Sequence, residues 1–208
     1  MRFGDDLLAA FARVAAGRRL AAPARGAAGQ AARGRPDRLV TRGGRFVVSA
    51  GVKGGAKTGP SPVNRRKPGC KHHLIVDGRG IPLAAILTAA NRPDASELLN
   101  LLDAIPPVRG KPGAPKRRPE RLLADGAYYV NRVLDGLELR RVEAQIARRR
   151  REHGSGLGRQ RWVVERTISW LHQHRRLRLR YERRPDIHEA FLSIACSLIC
   201  HRALQGAF

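Results

Sequence analysis

Acidic residues are scarce in this chain: 17 Asp and Glu stand against 41 Lys and Arg, a formal net charge of +24. A surface that basic repels itself unless it meets a polyanion, so nucleic acid is the expected partner. Long apolar runs are missing too. None approaches the roughly 20 residues of a spanning helix, and no basic amphipathic stretch stands alone as a membrane-surface segment, so no membrane is expected. The three cysteines, Cys70, Cys196 and Cys200, are odd in number and include no CxxC pair, which excludes a disulfide scaffold and the usual zinc spacing. All three read as reduced thiols, with Cys196 and Cys200 as small core residues of one helix. The first turn-lengths of chain carry Asp5 and Asp6 where a signal peptide needs positive charge. The expectation is a soluble cytoplasmic protein associated with nucleoid DNA.

What is there falls into two unequal parts. At 208 residues the chain holds one ordinary domain and a tail. Residues 1–51 are rich in Ala, Gly and Arg, with little apolar periodicity beyond Leu7, Leu8, Phe11 and Val14. They read as a basic, disordered segment outside the main domain, which spans 52–208. Beyond Gly59 the pattern changes. Two apolar runs, Lys71 to Val76 and Ile81 to Leu87, flank Asp77-Gly-Arg-Gly80 and predict a β-hairpin. Asp94 with Glu97 has capping-box spacing ahead of Leu98, Leu101 and Leu102, and Pro106 ends that helix. A buried strand is predicted at Arg121 to Ala124, a helix capped by Asn131 follows, and a further strand lies near Val142.

From Arg161 to Arg176 the spacing is helical: Val163, Val164, Thr167, Ile168, Trp170 and Leu171 form an apolar stripe, and Glu165 projects from a basic, polar face. Asp186 and Glu189 again have capping-box spacing, before a helix with Ile187, Phe191, Ile194, Leu198 and Ile199 as its expected core face. The element order predicts an α/β fold with a mixed sheet and flanking helices.

Phosphodiester transfer on DNA is commonly run by two divalent cations, which activate the attacking oxygen and stabilise the leaving one. Such hard cations want several oxygen ligands. Asp125, at a strand end, and Glu165, on a helix, are notable candidates in so acid-poor a chain. Their bland readings are a turn residue before Gly126 and an ion pair with Arg161. His72 and His73, adjacent on a strand, read as packing or surface residues, because no third ligand stands at a metal-site spacing. Asp77 reads as turn chemistry. Trp162 and Trp170 read as core or interface aromatics, since they lack the repetition of base-stacking platforms.

Six motifs occur in order: Gly59-Pro-Ser-Pro-Val-Asn-Arg, Lys71-His-His-Leu-Ile-Val-Asp-Gly-Arg-Gly-Ile-Pro-Leu-Ala, Leu123-Ala-Asp-Gly-Ala-Tyr, Arg161-Trp-Val-Val-Glu-Arg-Thr, Trp170-Leu and Tyr181-Glu-Arg-Arg. Together they resemble bacterial insertion-sequence DDE transposases of the insertion sequence 5-like family. The resemblance implies a ribonuclease-H-like catalytic domain that uses Mg²⁺ or Mn²⁺, with Asp125 and Glu165 as the second and third acidic ligands. It implies double-stranded DNA at transposon ends as the partner, and leaves a homodimer open as the assembly. Arg161 matches the basic residue one turn before the family's glutamate. The sequence departs from the family at Gly158, where a tyrosine is frequent, and at His172, where a lysine is frequent. Arg161, Arg166, His172, Arg175, Arg176 and Arg178 are the expected DNA contacts. A non-enzymatic basic nucleic-acid-binding protein is the alternative, although pure charge neutralisation has no use for ordered acids.

The family's first aspartate precedes the stretch matching Lys53 to Gly59, in a run close to Asp-Trp-Ser-Arg-Ala-Val-Val-Asp-Ser-Ser-Ser. Residues 38–48 here contain no acid. Codons permitted for them, read one base later, spell that run, with the aspartate straddling the codons of Arg45 and Phe46. The chain therefore reads as frameshifted at its amino terminus, with an incomplete carboxylate set. The charge leads to the first prediction: log affinity for duplex DNA falls steeply and linearly with log salt, as phosphate contacts release counterions. An anisotropy titration between low and moderately high salt checks it, and an unchanged affinity refutes it.

Overall fold

The computed structural model describes residues 40–51, 53–107, 115–146 and 158–206, with side chains described for 49–51 and beyond, and from 162 onward in the helix that begins at 158. β1 (Val40–Gly51) is the middle strand of a mixed sheet. On one side it pairs antiparallel with β3 (Pro68–Val76), from Arg42 opposite Val76 to Ala50 opposite Gly69, with a register shift between Gly43 and Arg45. On the other it runs parallel to β5 (Arg121–Ala124), with Val40 opposite Arg121 and Arg42 opposite Leu123. β4 (Pro82–Ala89) lies antiparallel outside β3, and β6 (Glu143–Ile146) lies parallel outside β5. The main order is thus β4-β3-β1-β5-β6. Two short strands complete it: β2 (Gly59–Pro60) against the start of β3, and β7 (Leu179–Arg180) parallel to the end of β1.

The strand alternation explains the layers. Ile75 points to one face and Leu74 and Val76 to the other, because successive side chains on a strand take opposite sides. On the Ile75 face pack α1 (Asp94–Asp103), the short 3₁₀ turn Gly126–Tyr128 and α2 (Asn131–Leu139), burying Leu98, Leu101, Leu102, Leu122, Tyr128 and Leu137. The opposite face is covered by α3 (Gly158–His172), α4 (Arg175–Arg178) and α5 (Pro185–Leu204), which bury Val163, Val164, Leu171, Leu177, Leu192 and Cys196.

The hairpin, the strand before Asp125 and the helices at Asp94, Asn131 and Arg161 stand where the sequence placed them. Four features differ. First, residues 40–51, read as part of a disordered tail, form the central strand, because backbone pairing on both edges compensates for a poor apolar pattern. Residues 1–39 lie outside the described residues. Second, neither capping box forms. The Asp94 carboxylate accepts from Lys71 Nζ at 2.9 Å, and Asp186 and Glu189 pair with Arg184 and Lys57. The helices begin at Pro93 and Arg184 without a side-chain cap, and α2 likewise begins at Val130, not at a capping Asn131. In a chain with this excess of bases, Asp94, Asp186 and Glu189 each find a cation instead.

Third, the core face of α5 is His188, Leu192, Ala195, Cys196, Ile199 and Cys200. Of the residues expected there only Ile199 is buried, while Ile187, Ile194 and Leu198 are exposed. An apolar residue every three or four positions runs along two faces of this helix, and periodicity alone could not choose between them. Fourth, α5 is long and apolar enough by length and composition alone to cross a membrane, a test that the core helix of a soluble protein also passes. Here its inner face packs on the sheet. The layered core gives a second prediction: Leu122→Ala, at 0% exposure, costs about 2–5 kcal/mol in urea unfolding. Leu139→Ala, at 83% exposure, stays within about 0.5 kcal/mol.

Candidate active site

Asp125 follows the last residue of β5 and caps the 3₁₀ turn, its Oδ1 accepting from Gly126 N at 2.6 Å. Leu123 lies opposite Arg42 on the neighbouring parallel strand, and Asp125 follows two residues beyond that pair. Glu165 is exposed in the middle of α3. The height of α3 is fixed by the β3–β4 turn. Thr167 Oγ1 donates to Gly80 O at 2.7 Å, and Arg166 Nη2 donates to Arg79 O at 2.5 Å. Gly80 has φ +88°, and a Cβ there would meet Thr167 Oγ1 at 2.8 Å, so this contact demands glycine on both counts. Asp77 closes the same turn by accepting from Arg79 N and Ile81 N, as the turn reading expected. Burial raises its pKa, and those backbone donors pull it back. Val76, the last residue before the turn, pairs with Arg42. The β3–β4 turn and the end of β5 thus both lie next to the first half of β1, which carries no acid.

The expected DNA contacts separate. Arg175, Arg176 and Arg178 are exposed on α4, Arg176 pairing with Glu182 and lying 5.3 Å over the Phe191 ring. Arg166 is half-buried, its guanidinium 4.6 Å from the Trp162 ring and 4.7 Å from the Trp170 ring. His172 is half-buried, its Nε2 has no hydrogen-bond partner among the described residues, and burial and then Arg178 lower its pKa. It therefore supplies no positive charge at neutral pH, unlike a lysine. The side chain of Arg161 lies outside the described residues.

Sequence spacing missed a buried polar chain on the α5 side of the sheet. Cys70, His72 and His188 bring donor atoms within 4.8 Å of one another, a set that could hold a metal ion. The imidazole geometry favours a hydrogen bond. His72 Nε2 and His188 Nε2 are 2.9 Å apart with ring centroids 5.1 Å apart, so the rings meet nearly end to end. A zinc ion bound to both at about 2.0–2.1 Å would need the nitrogens roughly 3.3 Å apart and the rings turned toward a common point. The pairing is satisfied when His188 Nδ1–H donates to Glu182 Oε2, at 3.2 Å, and His188 Nε2 accepts from His72. Burial first, then His188 and other nearby positive groups, holds the His72 pKa down to about 3. Burial likewise raises Cys70, opposed by Arg180. Arg180 is itself buried and donates to the carbonyls of Ala56, Lys57, Glu182 and Arg183. The partner of His72 comes from a helix 116 residues away, which no local pattern reveals.

Two comparisons bear on this arrangement. The family model described as transposase DDE domain matches residues 37–200. The chain belongs to the DDE transposase family. It is also 53% identical over 207 residues to a transposase assigned to insertion sequence element IS402 of Burkholderia cepacia. That match takes in 100% of this chain and 98% of the relative, so it includes the segment before Val52. The family acts in DNA transposition, which accounts for the charge of this transposase.

On the face of β3 opposite His72, His73 Nε2 lies 2.7 Å from Thr88 Oγ1, and burial holds its pKa down to about 4. Unfolding restores a value near 6.5, so the unfolded chain binds more protons between about pH 6.5 and 4. The stabilisation is present above pH 6.5 and is lost as pH falls toward 4. We predict a fall in unfolding free energy across this window, to which His73 contributes on the order of 2–3 kcal/mol. Urea midpoints at several pH values check it: His73→Gln should flatten the slope, and an unchanged slope refutes it.

Proposed function

We propose that this transposase binds double-stranded DNA at the ends of its element through its basic surface, with Asp125 and Glu165 as two ligands of a Mg²⁺ or Mn²⁺ site whose third carboxylate is missing. We read the sheet as ribonuclease-H-like, with β1 (Val40–Gly51) as its central strand and the amino-terminal segment as translated in a shifted frame. The single observation that carries the reading is the register of β5 on β1. Continued past Arg42 opposite Leu123, it favours a strand-end carboxylate near Arg45, where codons permitted for residues 38–48 spell aspartate when read one base later. The donor set fits in kind and falls short in number. Two carboxylates are the hard oxygen donors such cations prefer, while residues 38–48 add none. When bound, the metal pair would supply an activated attacking oxygen and charge stabilisation at the leaving one. Within the chain, Asp125 holds one oxygen on Gly126 N, and Glu165 is kept at its level by the Thr167 and Gly80 contact. Exposed Arg175, Arg176 and Arg178 fit phosphate contacts, and nucleoid DNA in the cytoplasm is the setting this function implies. Homodimer formation is left to a measurement of mass in solution.

The expected outcome is tight, salt-sensitive binding of element-end DNA with little cleavage in Mn²⁺. Arg45→Asp should raise cleavage by roughly 100-fold or more, and adding Asp125→Ala or Glu165→Ala should abolish that gain. Efficient cleavage by the unaltered chain, lost in Asp125→Ala, would show a complete site and sink the deficiency. Failure of Arg45→Asp to cleave leaves the non-enzymatic binding reading. The gene itself tests the frame: no aspartate codon in the shifted frame ahead of Val52 refutes the frameshift.

A further inference from the structure

The motif Gly59-Pro-Ser-Pro-Val-Asn-Arg lies outside the candidate active site and forms one arm of the hairpin between β2 and β3. Gly59 pairs with Gly69 and Pro60 with Pro68, and Ser61 N–H donates to Lys67 O at 2.9 Å. At the tip, Lys67 N–H donates to Asn64 O at 2.8 Å, which closes a β-turn over Asn64 to Lys67. Its two central residues, Arg65 at φ +45° and Arg66 at φ +59°, are both left-handed. Such a pair is ordinarily Asn and Gly, because Gly has no Cβ to clash and Asn can bond its own backbone. Arginine gains neither relief, so local turn chemistry does not account for these two residues. The turn instead projects its side chains outward. Residues 62–68 are all exposed, and Val63 is 74% exposed. Among the described residues, Arg65, Arg66 and Lys67 have no acidic partner, unlike Lys57, Lys71 and Arg184. The register sets where this tip sits. Ala50 pairs with Gly69 on one edge and with Leu179 on the other. Those two backbones are two strand spacings, about 10 Å, apart. The hairpin and α4 therefore flank the end of β1, and their exposed arginines share one end of the sheet.

We propose that the tip of the β2–β3 hairpin enters the minor groove of duplex DNA, with Arg65 and Arg66 in the groove and Val63 against its sugar wall. This rests on the reading of the chain as a DNA-binding protein whose α4 arginines hold phosphates. Charge selects the occupant: a second copy of a chain at +24 brings like charge to a tip of three cations. Phosphate contact alone asks only for cations on a surface. A strained turn that sets two arginines side by side, with an exposed valine next to them, fits a concave negative partner. The minor groove is about 6 Å wide, too narrow for a helix and open to a single turn. Its negative potential deepens where it narrows at A-tracts, and this draws arginine in. Proteins that enter this groove commonly bring an apolar side chain beside the cations. The tip thus reads groove width and not base identity. It adds a shape preference to a surface that otherwise binds by charge.

The test uses the full chain and two duplexes of equal length, one with a central A-tract and one rich in G·C, with netropsin as a minor-groove competitor. Wild type should bind the A-tract duplex about fivefold or more tightly, and netropsin should displace it. The double variant Arg65→Gly, Arg66→Gly removes both side chains and relieves the left-handed strain, so its urea midpoint should be unchanged or higher. It should bind the A-tract duplex about tenfold or more weakly and lose the preference. Val63→Ser should weaken A-tract binding about threefold and leave the salt slope unchanged, since it neutralises no phosphate. Equal wild-type affinity for the two duplexes, without displacement by netropsin, assigns the tip to phosphate contact only and overturns the proposal while DNA binding stands. A glycine variant that keeps both affinity and preference overturns it as well. Failure of wild type to bind either duplex at low salt removes the reading on which it rests. Should the glycine variant fold poorly, Arg65→Asn with Arg66→Gly, the usual residues of such a turn, takes its place with the same expected outcome.

Discussion

The pairing of β1 on both of its edges is the constraint from which the rest of the structure follows. One edge takes an antiparallel partner, β3, and the other takes a parallel one, β5. The antiparallel partner follows β1 through β2 and its loop, the tight turn at Asp77–Gly80 joins β3 to β4, and the parallel partner is reached only through β4, α1 and the following loop. That connection delivers Asp125 to the end of β1's parallel neighbour. The tight turn delivers the carbonyls that fix α3. The strand end at Asp125 and the turn that holds α3 thus both depend on one strand that carries no acid.

Charge shapes the remaining polar chemistry. With bases in such excess, acids are absorbed by neighbouring cations, as Asp94 is by Lys71 and Asp103 by Arg140. The pair of Asp103, whose carboxylate is exposed, with Arg140 adds little stability, whereas Lys71 is buried beside Asp94. The consequence of such pairing is the loss of both capping boxes and the small number of carboxylates left to face a hard cation. Arg176 goes to Glu182, and Glu182 orients His188. The pull of Arg176 and His188 outweighs burial and keeps the Glu182 carboxylate ionised below its usual range.

The buried interior contains more polar groups than the apolar pattern implies. His72, His188 and Arg180 are all nearly inaccessible, and each would be costly without partners. Arg180 meets four carbonyls, and the two imidazoles meet each other and a carboxylate. These contacts join β3, the loop around Ala56, β7 and the first turn of α5. Such interactions penalise displacement of these elements, because separating any of them strands a buried donor or a charge.

The sequence by itself determined the elements on the two faces of the sheet, through apolar spacing: the hairpin about Asp77, the strand before Asp125 and the helix carrying Glu165 were all legible. It also determined the character of the partner, through net charge, and the motif order that marks the family. Tertiary structure decided what local pattern leaves degenerate. It chose which of two apolar faces of α5 to bury, because only one could meet Leu74 and Val76. It made a central strand of 40–51, because pairing on two edges can recruit backbone that has little hydrophobic signal. It set His72 against His188 and left Trp162 half in solvent above Arg166, because residues distant in sequence, or four apart on a helix, acquire their environment only when sheet and helices pack.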